Sequence, residues 1–142
     1  MTLQKILVVD DSELLHRMYN LVLRRYRDQG AEILHARNGS EALSVIRDTP
    51  DIDLMLLDVT MPVMSGLQLL IGLRAAGLLR DLKVIMVSTQ GRDEDVQNAL
   101  ERGAVGYVTK PFTPGELHAV IDQHFQPERR QTPIFIARET SA

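Results

Sequence analysis

Five short apolar runs, rich in β-branched residues, recur along this chain, each followed by a stretch with helical spacing. The first, Ile6-Leu7-Val8-Val9, has no polar residue on either face. A strand with one wet face alternates polar and apolar residues, whereas a parallel strand covered on both sides does not. The runs therefore read as strands over Lys5–Asp10, Glu32–Ala36, Leu54–Asp58, Val84–Ser88 and Val105–Thr109. Regular β-then-α alternation requires right-handed crossovers, which lay helices on both faces of one sheet. The expected class is α/β, a three-layer sandwich.

The helices carry start and stop signals. Ser65-Gly66-Leu67-Gln68 is a capping box opening the third helix, and Gly77 stands where that helix should end. Asn38-Gly39-Ser40-Glu41 opens the second in the same way. Asp93 caps the fourth, and Gly103 follows its end. Thr113-Pro114-Gly115-Glu116 opens the fifth, with Pro114 where a missing N–H costs little. On the first helix Leu15, Met18 and Val22 mark a core stripe, joined by Tyr19 and Tyr26, with Leu14 and Leu21 partly off it.

A chain of 142 residues fits one domain and is long enough to bury a core. Residues 1–125 read as that domain. Residues 126–142 read as a polar, proline-bounded tail with a small apolar island, Ile134-Phe135-Ile136-Ala137. The island is expected either to dock on a groove or sheet edge, or to be an unstructured tail. Net charge is −3 with a pI near 5.8, which gives no electrostatic case for nucleic-acid binding. Arg24, Arg25 and Arg27 read as a solvated helix end. No apolar run reaches membrane-spanning length, and Met1 leads straight into a strand pattern, so neither a span nor a signal peptide is expected. The absence of cysteine excludes disulfides and thiolate metal sites and suits a cytoplasmic location.

The chemistry gathers where open α/β sheets place it, at the carboxyl ends of strands. Asp10 and Asp11 close the first strand, Asp58 the third, Ser88 the fourth, and Lys110 follows the fifth. Carboxylates brought together resist joint ionisation unless a cation joins them. Mg²⁺, or Mn²⁺, is the expected ion, since it accepts one or two carboxylates, keeps waters and shares a phosphate oxygen. Asp11 is expected as the main direct ligand and Asp58 as a second, with Asp10 acting through water and the Thr60 carbonyl completing the set. Asp58 is the candidate nucleophile, because a carboxylate can attack phosphorus to give an acyl phosphate. Lys110 would supply a second positive charge, and Ser88 a hydrogen bond to a phosphoryl oxygen. Each has a plainer reading: a helix N-cap pair for Asp10-Asp11, an exposed lysine by a turn, a strand-end serine. Tyr107 is a half-buried strand aromatic, or a ring able to turn inward or outward near Ser88. His16, His35, His118 and His124 show no ligand spacing and read as surface or core-edge residues.

These residues carry a resemblance. The chain resembles the receiver domain of two-component response regulators, including the single-domain chemotaxis type, over about residues 3–125. The match rests on Val8-Val9-Asp10-Asp11-Ser12, Leu57-Asp58-Val59-Thr60-Met61-Pro62 with Met64-Ser65-Gly66, Val87-Ser88-Thr89, and Gly106-Tyr107-Val108-Thr109-Lys110-Pro111-Phe112. It implies a flavodoxin-like (βα)5 fold with strand order 2-1-3-4-5. It implies that a histidine kinase or phosphotransfer protein donates phosphate to Asp58, with a divalent ion at Asp10, Asp11, Asp58 and Thr60. Ser88 would then move toward the phosphoryl group as Tyr107 turns inward, remodelling the surface of the fourth helix, fifth strand and fifth helix for a downstream protein. It implies a cis Lys110–Pro111 bond, and a monomer or phosphorylation-dependent dimer that catalyses only its own phosphorylation and dephosphorylation. Leu14 becomes a candidate kinase contact.

Three features depart from the common pattern. Thr89 stands where a smaller residue is usual, Thr60 and Gln90 occupy positions that tune phosphate lifetime, and the tail has no place in a minimal receiver. Other readings are a haloacid-dehalogenase-like phosphatase, which wants a second acid where Thr60 stands, and a receiver-like scaffold that is never phosphorylated. A flavodoxin-like cofactor binder would need a glycine-rich first turn, and this one is acidic.

Overall fold

The computed structural model describes residues 3–61 and 63–125. Five strands, β1 (Lys5–Val9), β2 (Glu32–Ala36), β3 (Leu54–Asp58), β4 (Lys83–Ser88) and β5 (Gly106–Thr109), form one parallel sheet in the order β2-β1-β3-β4-β5. This is the expected class and strand order. Helices α1 (Glu13–Val22), α2 (Arg24–Asp28), α3 (Gly39–Asp48), α4 (Gly66–Ala75), α5 (Asp93–Glu101) and α6 (Pro114–His124) cover it.

Side chains alternate across a strand, so each doubly covered strand feeds two cores. Ile6, Val8, Leu54, Leu56, Ile85 and Val87 pack with Tyr19, Leu23, Tyr26, Leu117 and Ile121 of the α1, α2 and α6 layer. Leu7, Val9, Met55, Leu57, Val84 and Met86 pack with Ala42, Leu69, Leu70, Leu73 and Ala99 of the α3, α4 and α5 layer. Each fully buried Leu or Ile contributes about 1.5–3 kcal/mol. That repeated gain explains why both faces of the strands had to be apolar.

The first helix differs from expectation. It breaks at Leu23, which takes φ −91° and ψ 5° and is fully buried. No glycine or proline announces the break; packing of Leu23 and Tyr26 imposes it. The freed Val22 carbonyl is met by His118 Nε2 at 2.7 Å, from α6. Tyr26 and Arg25 both bond Asp122, at 2.8 and 2.9 Å, which fastens α2 to α6. The buried face is also rotated from the expected stripe. Leu15 and Met18 are only half-buried, while His16, Tyr19, Val22, Leu23 and Tyr26 are buried. The helices expected as fourth and fifth are therefore α5 and α6.

The capping boxes at Ser65–Gln68 and Thr113–Glu116 form in full. At α3 only half forms: Asn38 accepts from the Glu41 N–H, but the Glu41 carboxylate accepts from Arg37. Asp93 does not cap α5. The cap position is Arg92, and Asp93 begins an acidic first turn with Glu94 and Asp95, favoured by the helix dipole.

Candidate functional site

All five strands point the same way, so their carboxyl ends share one edge. Val9 pairs with Leu57 in register, and Ser88 with Thr109. Asp10, Asp58, Ser88 and Lys110 thereby converge, at the crevice where the chain reverses its direction across the sheet between β1 and β3.

The Asp10, Asp11 and Asp58 carboxylates each place an oxygen within 4.8 Å of the others. Asp10 and Asp58 are buried, at 1% and 5% exposure, and Asp11 is exposed. Lys110 Nζ lies 3.1 Å from Asp58 Oδ1 and 3.2 Å from Asp10 Oδ2. Burial raises the Asp58 carboxyl above its ordinary value, and the Asp10 charge adds to this. Lys110 and the Thr60 backbone N–H oppose the rise without cancelling it. Three acids facing one ammonium leave excess negative charge around two buried carboxylates. Oxygen donors in that arrangement fit a small, hard divalent cation.

The plainer reading of Asp10-Asp11 fails on geometry. Ser12, not either aspartate, is the N-cap of α1, accepting from the Leu15 N–H at 3.2 Å. Asp10 Oδ1 accepts from the Ser12 N–H at 2.9 Å, and Oδ2 faces Lys110. Both Asp10 oxygens thus have protein partners, while Asp11 stands exposed at the mouth.

Gly66 sets the floor of the cleft. Its N–H donates to the Val59 carbonyl at 2.8 Å, and a Cβ there would stand 2.1 Å from the Asp58 carbonyl oxygen. Only glycine lets α4 begin so close to the Asp58 backbone. The loop between β3 and α4 also holds Val63, which is fully exposed with φ 70°. Pro62 lies outside the described residues.

On the other side, Ser88 is buried and its Oγ accepts from the Gln90 N–H at 2.9 Å. The Tyr107 hydroxyl donates to the Gln90 carbonyl. Its ring is half-buried against the α3–α5 core. Thr60, Thr89 and Gln90 are exposed at the rim, and Leu14 is 73% exposed on α1. The Lys110–Pro111 bond is cis, as the resemblance implied.

One expectation is corrected. His16 is neither surface nor core-edge; it is buried at 3% exposure directly behind Asp10. His35, His118 and His124 are half-buried. The spacing 16-19-23-26 holds the signal for His16, since it shares the helical face of Tyr19, Leu23 and Tyr26. The apolar island at Ile134-Phe135-Ile136 lies outside the described residues.

Comparison with known proteins agrees with this geometry. A family model described as "Response regulator receiver domain" matches residues 6–122. The chain is 37% identical over 110 residues to a chemotaxis protein CheY homolog of Campylobacter jejuni, covering 78% of this chain and 83% of that protein. The crystal structure of chemotaxis protein CheY4 of Vibrio cholerae superposes with a TM-score of 0.75 at 30% identity, over 86% of this chain and 98% of that one. A CheY in a CheX-CheY-BeF3-Mg complex from Borrelia burgdorferi superposes with a TM-score of 0.77 at 27% identity, over 87% and 90%. Strand order, the acid triad facing a lysine, and these matches agree: the chain belongs to the receiver-domain family of response regulators.

Proposed function

We propose that Asp58 is the phosphoacceptor of a two-component signalling switch, loaded by a histidine kinase or a histidine phosphotransfer protein. The observation that carries this is the Asp58 carboxylate itself, buried, raised in pKa, and held by Lys110 at 3.1 Å beside two further acids. A carboxylate strained toward its neutral form gains by being esterified or paired with a cation. Asp58 would attack phosphorus, the donor's P–N bond would break, and its electron pair would stay on the donor imidazole.

Mg²⁺ or Mn²⁺ would be held by Asp11 and Asp58, with Asp10 through water and the Thr60 carbonyl completing the protein share. When bound, such a cation neutralises charge on the transferring phosphoryl oxygens. Lys110 holds Asp58 toward the cleft and balances the charge that remains. Ser88 would exchange its bond from Gln90 for one to a phosphoryl oxygen. The Gln90–Tyr107 contact would carry that movement to the surface of α5, β5 and α6, where a downstream protein reads it. Thr60 and Gln90, both at the rim, would govern water access and hence phosphate lifetime.

Exposed Leu14 supports a kinase contact on α1. The Borrelia relative is titled as a complex with CheX, which supports a protein as the downstream reader here too. No described helix is long and apolar enough to cross a membrane. We place the protein in the cytoplasm, as a monomer or a phosphorylation-dependent dimer, with no enzymatic activity beyond its own phosphorylation and dephosphorylation. The phosphatase reading is not favoured: Thr60 offers Asp58 a backbone N–H where a general acid is needed. Labelling with acetyl phosphate and Mg²⁺, with Asp58→Asn as control, tests the reading. Equal uptake by both proteins would refute it.

A further inference from the structure

His16 lies behind the acid cluster rather than in it. Its Nε2 is 2.7 Å from the Asp10 main-chain carbonyl, and its Nδ1 is 2.6 Å from Nδ1 of His35 on β2. The rings meet edge to face, 4.8 Å between centroids. His35 Nε2 lies 3.0 Å from Oδ1 of Asn20, one turn further along α1.

The two oxygen contacts fix where the outer protons sit. A carbonyl oxygen only accepts, so His16 Nε2 carries the hydrogen. Two ring nitrogens 2.6 Å apart hold a single proton between them. Like the carbonyl, Asn20 Oδ1 only accepts, so His35 Nε2 carries a hydrogen. One bonded chain thus links Asn20, His35 and His16 to the Asp10 carbonyl. Bonds linked in this way polarise and strengthen one another in a buried setting.

The Asp10 carbonyl belongs to the peptide that joins Asp10 to Asp11. Whatever holds that peptide plane sets ψ of the first acid and φ of the second. It therefore sets the relative aim of two carboxylates in the triad. We propose that His16 is a positioning residue for this acid pair, held in place from behind by His35 and Asn20. This rests on the reading of Asp10, Asp11 and Asp58 as a divalent-cation site.

Calorimetric titration of the full chain with Mg²⁺ tests it. His16→Leu keeps bulk and removes the donor; His16→Gln keeps an N–H of similar reach. Loss of an outer partner of a metal ligand lowers affinity about 10–100-fold. His16→Leu should thus weaken Mg²⁺ binding by about tenfold or more, and His16→Gln should restore most of it. A folded His16→Leu protein binding Mg²⁺ as tightly as wild type would overturn the proposal while leaving the metal reading intact. A wild type that binds no Mg²⁺ would remove both. Nitrogen NMR of the wild-type rings is independent of whether variants fold. It should show His16 protonated at Nε2 and scalar coupling across the two Nδ1 atoms. His16 protonated at Nδ1 instead would overturn the proposal.

Discussion

Ser88 and Tyr107 are joined through one residue: the Ser88 hydroxyl accepts from the N–H of Gln90, and the Tyr107 hydroxyl donates to its carbonyl. The end of β4 and the middle of β5 thus grip the same loop residue from two directions. Ser88 cannot turn toward the acid cluster without releasing that N–H, and the loop then moves or loses a bond. Tyr107→Phe keeps the ring and removes one hydrogen bond, about 1 kcal/mol. It should leave acetyl phosphate uptake within about twofold, since a bond of this size lies outside the reacting atoms. It should shift the amide resonances of Gln90 and of α5. Unchanged resonances there would break the proposed link between site and surface.

Gly66→Ala should damage the site before the rest of the fold. The added methyl meets main-chain atoms of Asp58, which cannot turn aside as a side chain can. Overpacking of this kind costs about 1–3 kcal/mol, and the displaced atoms carry the proposed phosphoacceptor. The unfolding free energy from denaturant titration should fall by that amount while phosphate uptake falls further. Wild-type stability and uptake in Gly66→Ala would contradict the close approach of α4 to β3.

Asp58 and its neighbours tie stability to pH and to metal. Its folded pKa is raised, so its favourable contribution is present below the unfolded value and lost as pH rises through the folded value. Above that window the apo protein carries a penalty for ionised Asp58. Asp58→Asn should therefore melt higher than wild type at neutral pH in EDTA. Excess Mg²⁺ should narrow the gap, because wild type gains more binding energy than the variant. A variant less stable than wild type in EDTA would reverse the sign assigned here.

The histidines act in the opposite sense. Burial lowers the pKa of His35 and of His124, with nearby positive charge adding to it at His124 from Lys83. The unfolded chain binds these protons first, so stability falls as pH drops below about 6.5 toward the folded values. His124→Gln should flatten that slope in melting curves between about pH 7 and 5, the range in which histidine titrates. An unchanged slope would show that His124 is solvated when folded.

Much of this architecture was legible in the sequence because burial on both faces leaves a plain mark. Ile6-Leu7-Val8-Val9 and Leu54-Met55-Leu56-Leu57 have no polar side to hide, and Ser65–Gln68 and Thr113–Glu116 announce their helices through local hydrogen bonds. The parallel sheet then brings Asp10, Asp58, Ser88 and Lys110 to one edge without any side-chain detail. What escaped was set by contacts distant in sequence. Leu23 breaks a helix because of what it packs against, not because of its own propensity. His16 shares a helical face with Tyr19, Leu23 and Tyr26, which marks its burial, but nothing local marks the carbonyl behind it. Arg92 rather than Asp93 takes the cap position, a shift of one residue that only the backbone angles reveal.

The central claim is that Asp58 takes up a phosphoryl group. Intact-mass spectrometry after incubation with acetyl phosphate and Mg²⁺, followed by mapping of the modified peptide, reads it directly. The account predicts one phosphoryl group, on Asp58, abolished by Asp58→Asn and by EDTA. Modification at another residue, or none at all with Mg²⁺ in excess, would contradict it.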